Sequence, residues 1–519
     1  MSSDNPIPDV SEAILESNLR LDPGLEVATE AIAAGSTEAA PSTDHTLIRA
    51  IAWTGAGKWA TQLLTWTSTI AAARILAPSD YGLMGMATIY LGLITLISEF
   101  GLGQSVITLR QLSRHQIAQI NSVSLMFGAG LFAISGALAI PIGRFFHNPK
   151  VPGVIVVMSL GFLISALQVV PDALLQRELR FKLIASFDTL RVLAQALGTV
   201  TLAWLGFGYW SLALGNLAGT VTYTLLTIAA RRHAFAWPHI GDIKGTLGFS
   251  THLLGSRVAW YTYSNSDFLV AGRLLGEASL GAYTIAWTIA STPVEKITNM
   301  VMKVTPAFFS VMQEDRVQLE RYLLGITEGL SLLTFPASIG LALVADQFVL
   351  AVLGPKWTAA ATPLRLLAIY AALRSVTTLL PVLLNARRHS RFVMWDTIIA
   401  AVVFPVSFYI TSRWGTTGIA ATWIVLYPCI TAPLVWRTAI ELDLSIWKYL
   451  SSLVPALRGC LAMAITVSGV RVVMPFHWPV ATRFVISVVT GALTYLAFVM
   501  VVERQRLRGF YTLVRGARA

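Results

Sequence analysis

The side chains of this sequence that could do chemistry are ionisable groups set inside long apolar runs. The basic ones are Lys58, Arg191, Arg257, Lys296, Arg365, Arg374, Arg458 and Arg483, and the acidic ones Glu99, Asp188, Asp267, Glu295 and Asp396. At the middle of a bilayer each costs about 2.5–3.5 kcal/mol on insertion scales, so it persists where it faces a wet cavity or a partner. Lys58, Arg257, Arg374 and Glu99 sit deepest by residue count. An arginine fork binds phosphate oxygens bidentately, so Lys58, Arg257 and Arg374, with Arg191 nearer one face, are the candidates for holding a phosphorylated ligand. Tyr261, one helical turn beyond Arg257, and Tyr263 offer aromatic faces on which a ligand ring could stack. Glu99 first and Asp267 second are the candidates for a carboxylate that takes up a proton, because burial favours the neutral acid.

Simpler roles compete with these. Asp188 precedes Arg191 by three residues, a spacing that suits an ion pair on one helix face. Glu295 and Lys296 are adjacent and point to different faces, so at least one needs a partner on another helix. Arg458 and Arg483 lie near helix ends and can snorkel. Trp210, Trp237, Trp357, Trp414, Trp447 and Trp478 flank breaks between apolar runs and read as interfacial anchors.

Enzyme signatures are weak. Gly55-Ala-Gly-Lys58-Trp59 imitates a phosphate loop, but position 52 is Ala where that loop needs Gly, and Trp59 replaces Ser/Thr. The eight histidines show no paired metal-ligand spacing, and no Gly-x-Ser-x-Gly occurs. No catalytic residue, metal or cofactor is expected. The two cysteines, Cys429 and Cys460, lie in apolar segments and indicate no disulfide framework. The polar, acidic N-terminus has no signal-peptide pattern.

The elements that must position these charges follow from composition. Of 519 residues 55% are hydrophobic and 13% charged, with a mean hydropathy of +0.65. Soluble domains carry about 25% charged residues, so the solvent for most of this chain is lipid. Residues 1–49 hold nine acids against Arg20 and Arg49 and read as a disordered tail. The rest is strongly basic, but its Lys and Arg scatter through short loops, which suits membrane orientation and not nucleic-acid binding.

A spanning helix needs about 20 residues. The apolar runs predict fourteen: 50–73, 83–108, 117–140, 153–175, 184–206, 209–230, 246–271, 280–302, 322–345, 358–385, 392–412, 416–437, 453–474 and 480–502. With both termini inside, Lys and Arg divide 23 to 7 between the inner and outer segments, the asymmetry expected of cytoplasmic loops. An internal repeat is also present. Arg74-Ile-Leu-Ala-Pro-Ser-Asp-Tyr-Gly82 lies 199 residues before Arg273-Leu-Leu-Gly-Glu-Ala-Ser-Leu-Gly281. Phe187-Asp188-Thr189 recurs as Trp395-Asp396-Thr397, and Pro171 with Arg177 as Pro381 with Arg387. The expected architecture is therefore all-α and polytopic. It comprises an acidic tail (1–49), six-helix bundles at 50–230 and 246–440, two further helices at 450–502 and a basic tail at 503–519. Repeats of this parallel kind bind substrate between bundles and rock one against the other.

Arg74-x-Leu76-x-Pro78-x-Asp80-Tyr81-Gly82, followed by Glu99-Phe-Gly-Leu-Gly103, resembles the polysaccharide transporter branch of the multidrug/oligosaccharidyl-lipid/polysaccharide exporter superfamily. Asp267-x5-Arg273-Leu-Leu-Gly276-x3-Leu280-Gly281-x-Tyr283 is similar to the same group, nearest the Wzx-type exopolysaccharide and colanic-acid flippases. The resemblance runs from about residue 50 to 440, more loosely to 500, and leaves out the acidic tail. It implies a central cationic cavity in the bacterial inner membrane. The ligand would be an undecaprenyl-pyrophosphate-linked oligosaccharide, moved outward among the membrane lipids, with proton or sodium as coupling ion. Polysaccharide polymerase and export machinery would be its partners. The rivals are an integral-membrane polymerase or glycosyltransferase, disfavoured by outer loops of only about 5 to 15 residues, and a drug exporter of the same superfamily.

Overall fold

The computed structural model describes residues 61–502 apart from 63, 99–102, 104–105, 108–112, 233, 238–250, 304 and 476. Both expected tails, and the start of the first expected helix, lie outside the described residues. Among the described residues all regular structure is helical. A helical segment at 64–75 leads into α1 (Pro78–Ser98), α2 (Arg114–Phe145), α3 (Val151–Ala166), α4 (Val169–Arg177), α5 (Phe181–Trp204) and α6 (Trp210–Ala230). The second part holds α7 (Thr251–Leu274), α8 (Gly276–Met302), α9 (Thr305–Val311), α10 (Arg316–Phe348), α11 (Ala361–Thr377), α12 (Leu379–Ala386), α13 (Ser390–Thr411) and α14 (Gly415–Leu442). The short α15 (Ile446–Ser451) precedes α16 (Val454–Val473) and α17 (Val480–Val502).

Local chemistry sets several boundaries. Ser113 and Gln116 form a capping box on α2, and Asp315 accepts from the Gln318 backbone N–H at the start of α10, each satisfying amides that have no intrahelical partner. Two of the fourteen expected spans are broken helices: α3 and α4 meet at 44°, and the span at 358–385 divides into α11 and α12. Nine segments of the described residues are long and apolar enough to cross a membrane, or ten if the bent pair counts as one. Neither α7 nor α8 is in that group. They are the helices that carry Asp267 and Glu295.

The α5–α6 and α2–α3 pairs join the first part, and α10–α11, α7–α13 and α8–α11 the second, while α16 and α17 pack on α10. Across the two parts, α1 lies along α8 and also touches α7. The second part is filled by aromatic rings. Trp423 packs against Tyr370, Phe404, Phe408 and Trp287 with centroids 4.6–5.6 Å apart, in stacked and tilted geometries that add to burial energy.

Candidate functional site

Two features of α8 define the site. The first is its contact with α1, where the two copies of the sequence repeat meet. A methyl group at Gly82 would collide with the Glu277 carbonyl, and one at Gly281 with the Pro78 carbonyl. Position 277 is the repeat equivalent of 78, and 281 of 82, so the contact is reciprocal. Gly85 opposite Thr284 continues it one turn on. Small residues let the two backbones approach, as helices in lipid require when side-chain hydrophobicity supplies no drive.

The loops at this end exchange partners across the same contact. Arg74 Nε donates to the Val352 carbonyl at 2.7 Å, and its Nη2 donates to that of Ala351. Lys356 Nζ returns a bond to the Arg74 carbonyl at 2.8 Å. In the other copy Arg273, the equivalent of Arg74, reaches His147, while Asn148 donates to Glu277 at 2.6 Å. Trp357 departs from its expected role. It is fully buried, donates Nε1–H to the Ala73 carbonyl at 2.8 Å and meets the Tyr81 ring edge-on. Gly354, at φ +100°, turns the preceding π-helical Val349–Leu353 back over the contact and carries Trp357 inward.

The second feature is a cavity with about 480 Å³ of open space between α8 and α11. On α8 it is lined by Trp287, Ser291, Glu295, Thr298 and Asn299, and on α11 by Tyr370 and Arg374 among others. Arg374 Nη1 donates to Glu295 Oε1 at 3.1 Å, so the expected interhelical partner of Glu295 is the expected phosphate ligand. The pair remains accessible, 32% for the Arg374 side chain and 44% for Glu295, although both lie within helices.

Asp267, on α7, is fully buried. The Tyr283 hydroxyl donates to its Oδ2 at 2.7 Å and Trp423 Nε1–H at 3.0 Å, while Oδ1 has no hydrogen-bond partner. Asp267 is thus a fully buried carboxylate with one oxygen unpaired.

The other sequence candidates are dispersed. Tyr261 donates its hydroxyl to the Ile89 carbonyl of α1 at 2.8 Å, over the space left by Gly92, so that hydroxyl ties α7 to α1. Arg191 forms the expected pair with Asp188 at 2.8 Å, half-exposed on α5, apart from the cavity lining. Arg257 belongs to α7. Lys58 and Glu99 lie outside the described residues. Sequence reasoning overlooked Trp287, Ser291 and Thr298. With Glu295 they are spaced by four, four and three residues, one face of a helix, so a polar stripe on α8 was there to be found.

A polytopic bundle with a reciprocal inter-helix contact and, further along the same helix, an accessible ion pair has the architecture of a multi-pass membrane transporter. A solved structure of lipid II flippase MurJ in an inward closed conformation has the same fold, with a TM-score of 0.71 at 14% identity over 88% of this chain and 99% of that one. The chain belongs to the polysaccharide biosynthesis protein family, whose model matches residues 71–362. It is 25% identical to the succinoglycan biosynthesis transport protein ExoT of Rhizobium meliloti over 91% of this chain and 96% of that protein. It is 28% identical to the lipopolysaccharide biosynthesis protein WzxC of Escherichia coli over 61% of this chain and 65% of that protein.

Proposed function

We propose that this protein is a flippase. It carries undecaprenyl-pyrophosphate-linked oligosaccharide units from the inner to the outer leaflet of the bacterial inner membrane for exopolysaccharide synthesis. The observation that carries the reading is the reciprocal α1–α8 contact, closed by glycines at one end of the helix pair while charged side chains on α8 and α11 remain accessible elsewhere. A contact made between equivalent positions of two copies can open by rocking one copy on the other, which is alternating access. Succinoglycan transport and lipopolysaccharide synthesis, in the names of its relatives, supply the class of cargo.

In this reading residues 50–230 and 246–440 are the moving bundles, 450–502 an accessory pair, and the α1–α8 end faces outward with both termini in the cytoplasm. The 23 to 7 division of Lys and Arg supports that orientation. Lys58, Arg257 and Arg374 line the path, and Asp267 takes up the coupling proton or sodium ion through its free oxygen. The step breaks no covalent bond. Polymerase and export machinery act on the outer side.

The test is to delete the gene and analyse lipids of the inner leaflet. An undecaprenyl-pyrophosphate-linked oligosaccharide should build up there, and polymer export should stop. Normal export with no such build-up would sink the reading.

A further inference from the structure

We infer that the α8–α11 cavity is a sugar-recognition subsite, holding a vicinal diol of the glycan between Glu295, Arg374 and Thr298, and is not the seat of the pyrophosphate. The inference rests on the flippase reading and assigns one part of the cargo to one part of the molecule.

The Glu295–Arg374 bond joins one oxygen to one nitrogen, 3.1 Å apart. It leaves Glu295 Oε2 as an acceptor and the other guanidinium N–H groups as donors, with no further hydrogen bond to either side chain among the described residues. Thr298 is 7% exposed, and its hydroxyl has no hydrogen-bond partner although the residue lines the cavity. An unpaired buried hydroxyl is unfavourable, and a side-chain rotation that turned it into the cavity would let a ligand satisfy it.

The chemistry of the gap selects that ligand. A phosphate oxygen only accepts, and here it would face the Glu295 carboxylate, which also only accepts. An apolar molecule would leave Thr298 unsatisfied. A sugar hydroxyl both donates and accepts, so one hydroxyl of the diol can donate to Glu295 and accept from Thr298 while its neighbour accepts from Arg374. Ser291 and Asn299 extend the polar wall, and the Trp287 ring bounds the cavity on the apolar side.

Two probes separate sugar from phosphate: bare undecaprenyl pyrophosphate, and the glycosylated lipid purified from cells lacking this gene. Binding to the full-length protein in detergent would be measured for wild type, Thr298→Val and Glu295→Gln. Ser291→Ala would stand in should either variant lose its elution profile. The expected result is about a tenfold loss for the glycosylated probe, the worth of one hydrogen bond to a charged group, with bare pyrophosphate unchanged or bound more tightly by Glu295→Gln. Equal weakening of both probes would make this a phosphate site, and unchanged binding of both would remove it from the cargo path. Either overturns the subsite and leaves the flippase standing. Wild-type protein that binds neither probe sinks both.

Discussion

Two stretches of α8 are built for different tasks. Its first turns meet α1 through glycines and carbonyl oxygens, and its last third faces α11 across open space with charge and hydroxyl groups. Backbone against backbone leaves nothing to adjust, so such a contact is either made or broken. Side chains around a cavity can shift rotamer to follow a ligand. Packed interfaces that exist in discrete arrangements are what turn a small bias into a large motion. The difference suggests a division of labour along one helix, with closure at one end and recognition further on.

The largest effect is expected where the contact is tightest. Gly82→Val or Gly281→Val places side-chain carbons on the opposing carbonyl, and polymer export at matched membrane abundance should fall at least tenfold for each. Gly136→Ala, in open space on α2, is the control and should leave export unchanged. Normal export by the Gly82 variant would break the comparison, because the contact would then be no part of the cycle.

The cavity end comes next. Arg374→Ala leaves Glu295 unpaired and should lower export by about tenfold. Adding Glu295→Ala should recover part of the loss, with a coupling of about 0.5–3 kcal/mol in the double-mutant cycle. Strictly additive losses would show that the pair does not act together. Asp267→Asn keeps an oxygen for Tyr283 and Trp423 but loses the charge. The variant should reach wild-type abundance while its flipping loses dependence on the ion gradient, measured in vesicles with and without the gradient imposed. Retained dependence would move the coupling role elsewhere. The smallest effect belongs to Arg191→Ala, since an exposed i,i+3 pair is worth only about 0.2–0.5 kcal/mol. No measurable change in thermal stability is expected, and a clear drop would mean Arg191 touches something other than Asp188.

Much of the fold was legible. Apolar runs report where lipid must be the solvent, and the described helices follow them, with breaks inside the spans at 153–175 and 358–385 and with α7 and α8 too polar to join the apolar spans. The Asp188–Arg191 pair was legible because both residues sit on one helix and periodicity alone brings them together. Partners on other helices were not. Glu295 visibly needed a counter-charge, but nothing local points to Arg374, 79 residues on. Trp357 sits beside a break like the other flanking tryptophans, of which Trp237, Trp414 and Trp447 are exposed, yet the loop fold buries it. Tyr261 offered an aromatic face, and the structure uses its hydroxyl to join two helices.

The sequence by itself determined the all-α class, the helical registers and the repeat, because hydrophobic period and local spacing are properties of neighbouring residues. Only the tertiary structure decided that the two copies of the repeat meet through their glycines, and that Arg374 faces a carboxylate in an open cavity. It also joined Asp267 to a tryptophan 156 residues away. Those are facts of helix packing, set by which surfaces fit closely enough to exclude lipid, and no single helix contains them.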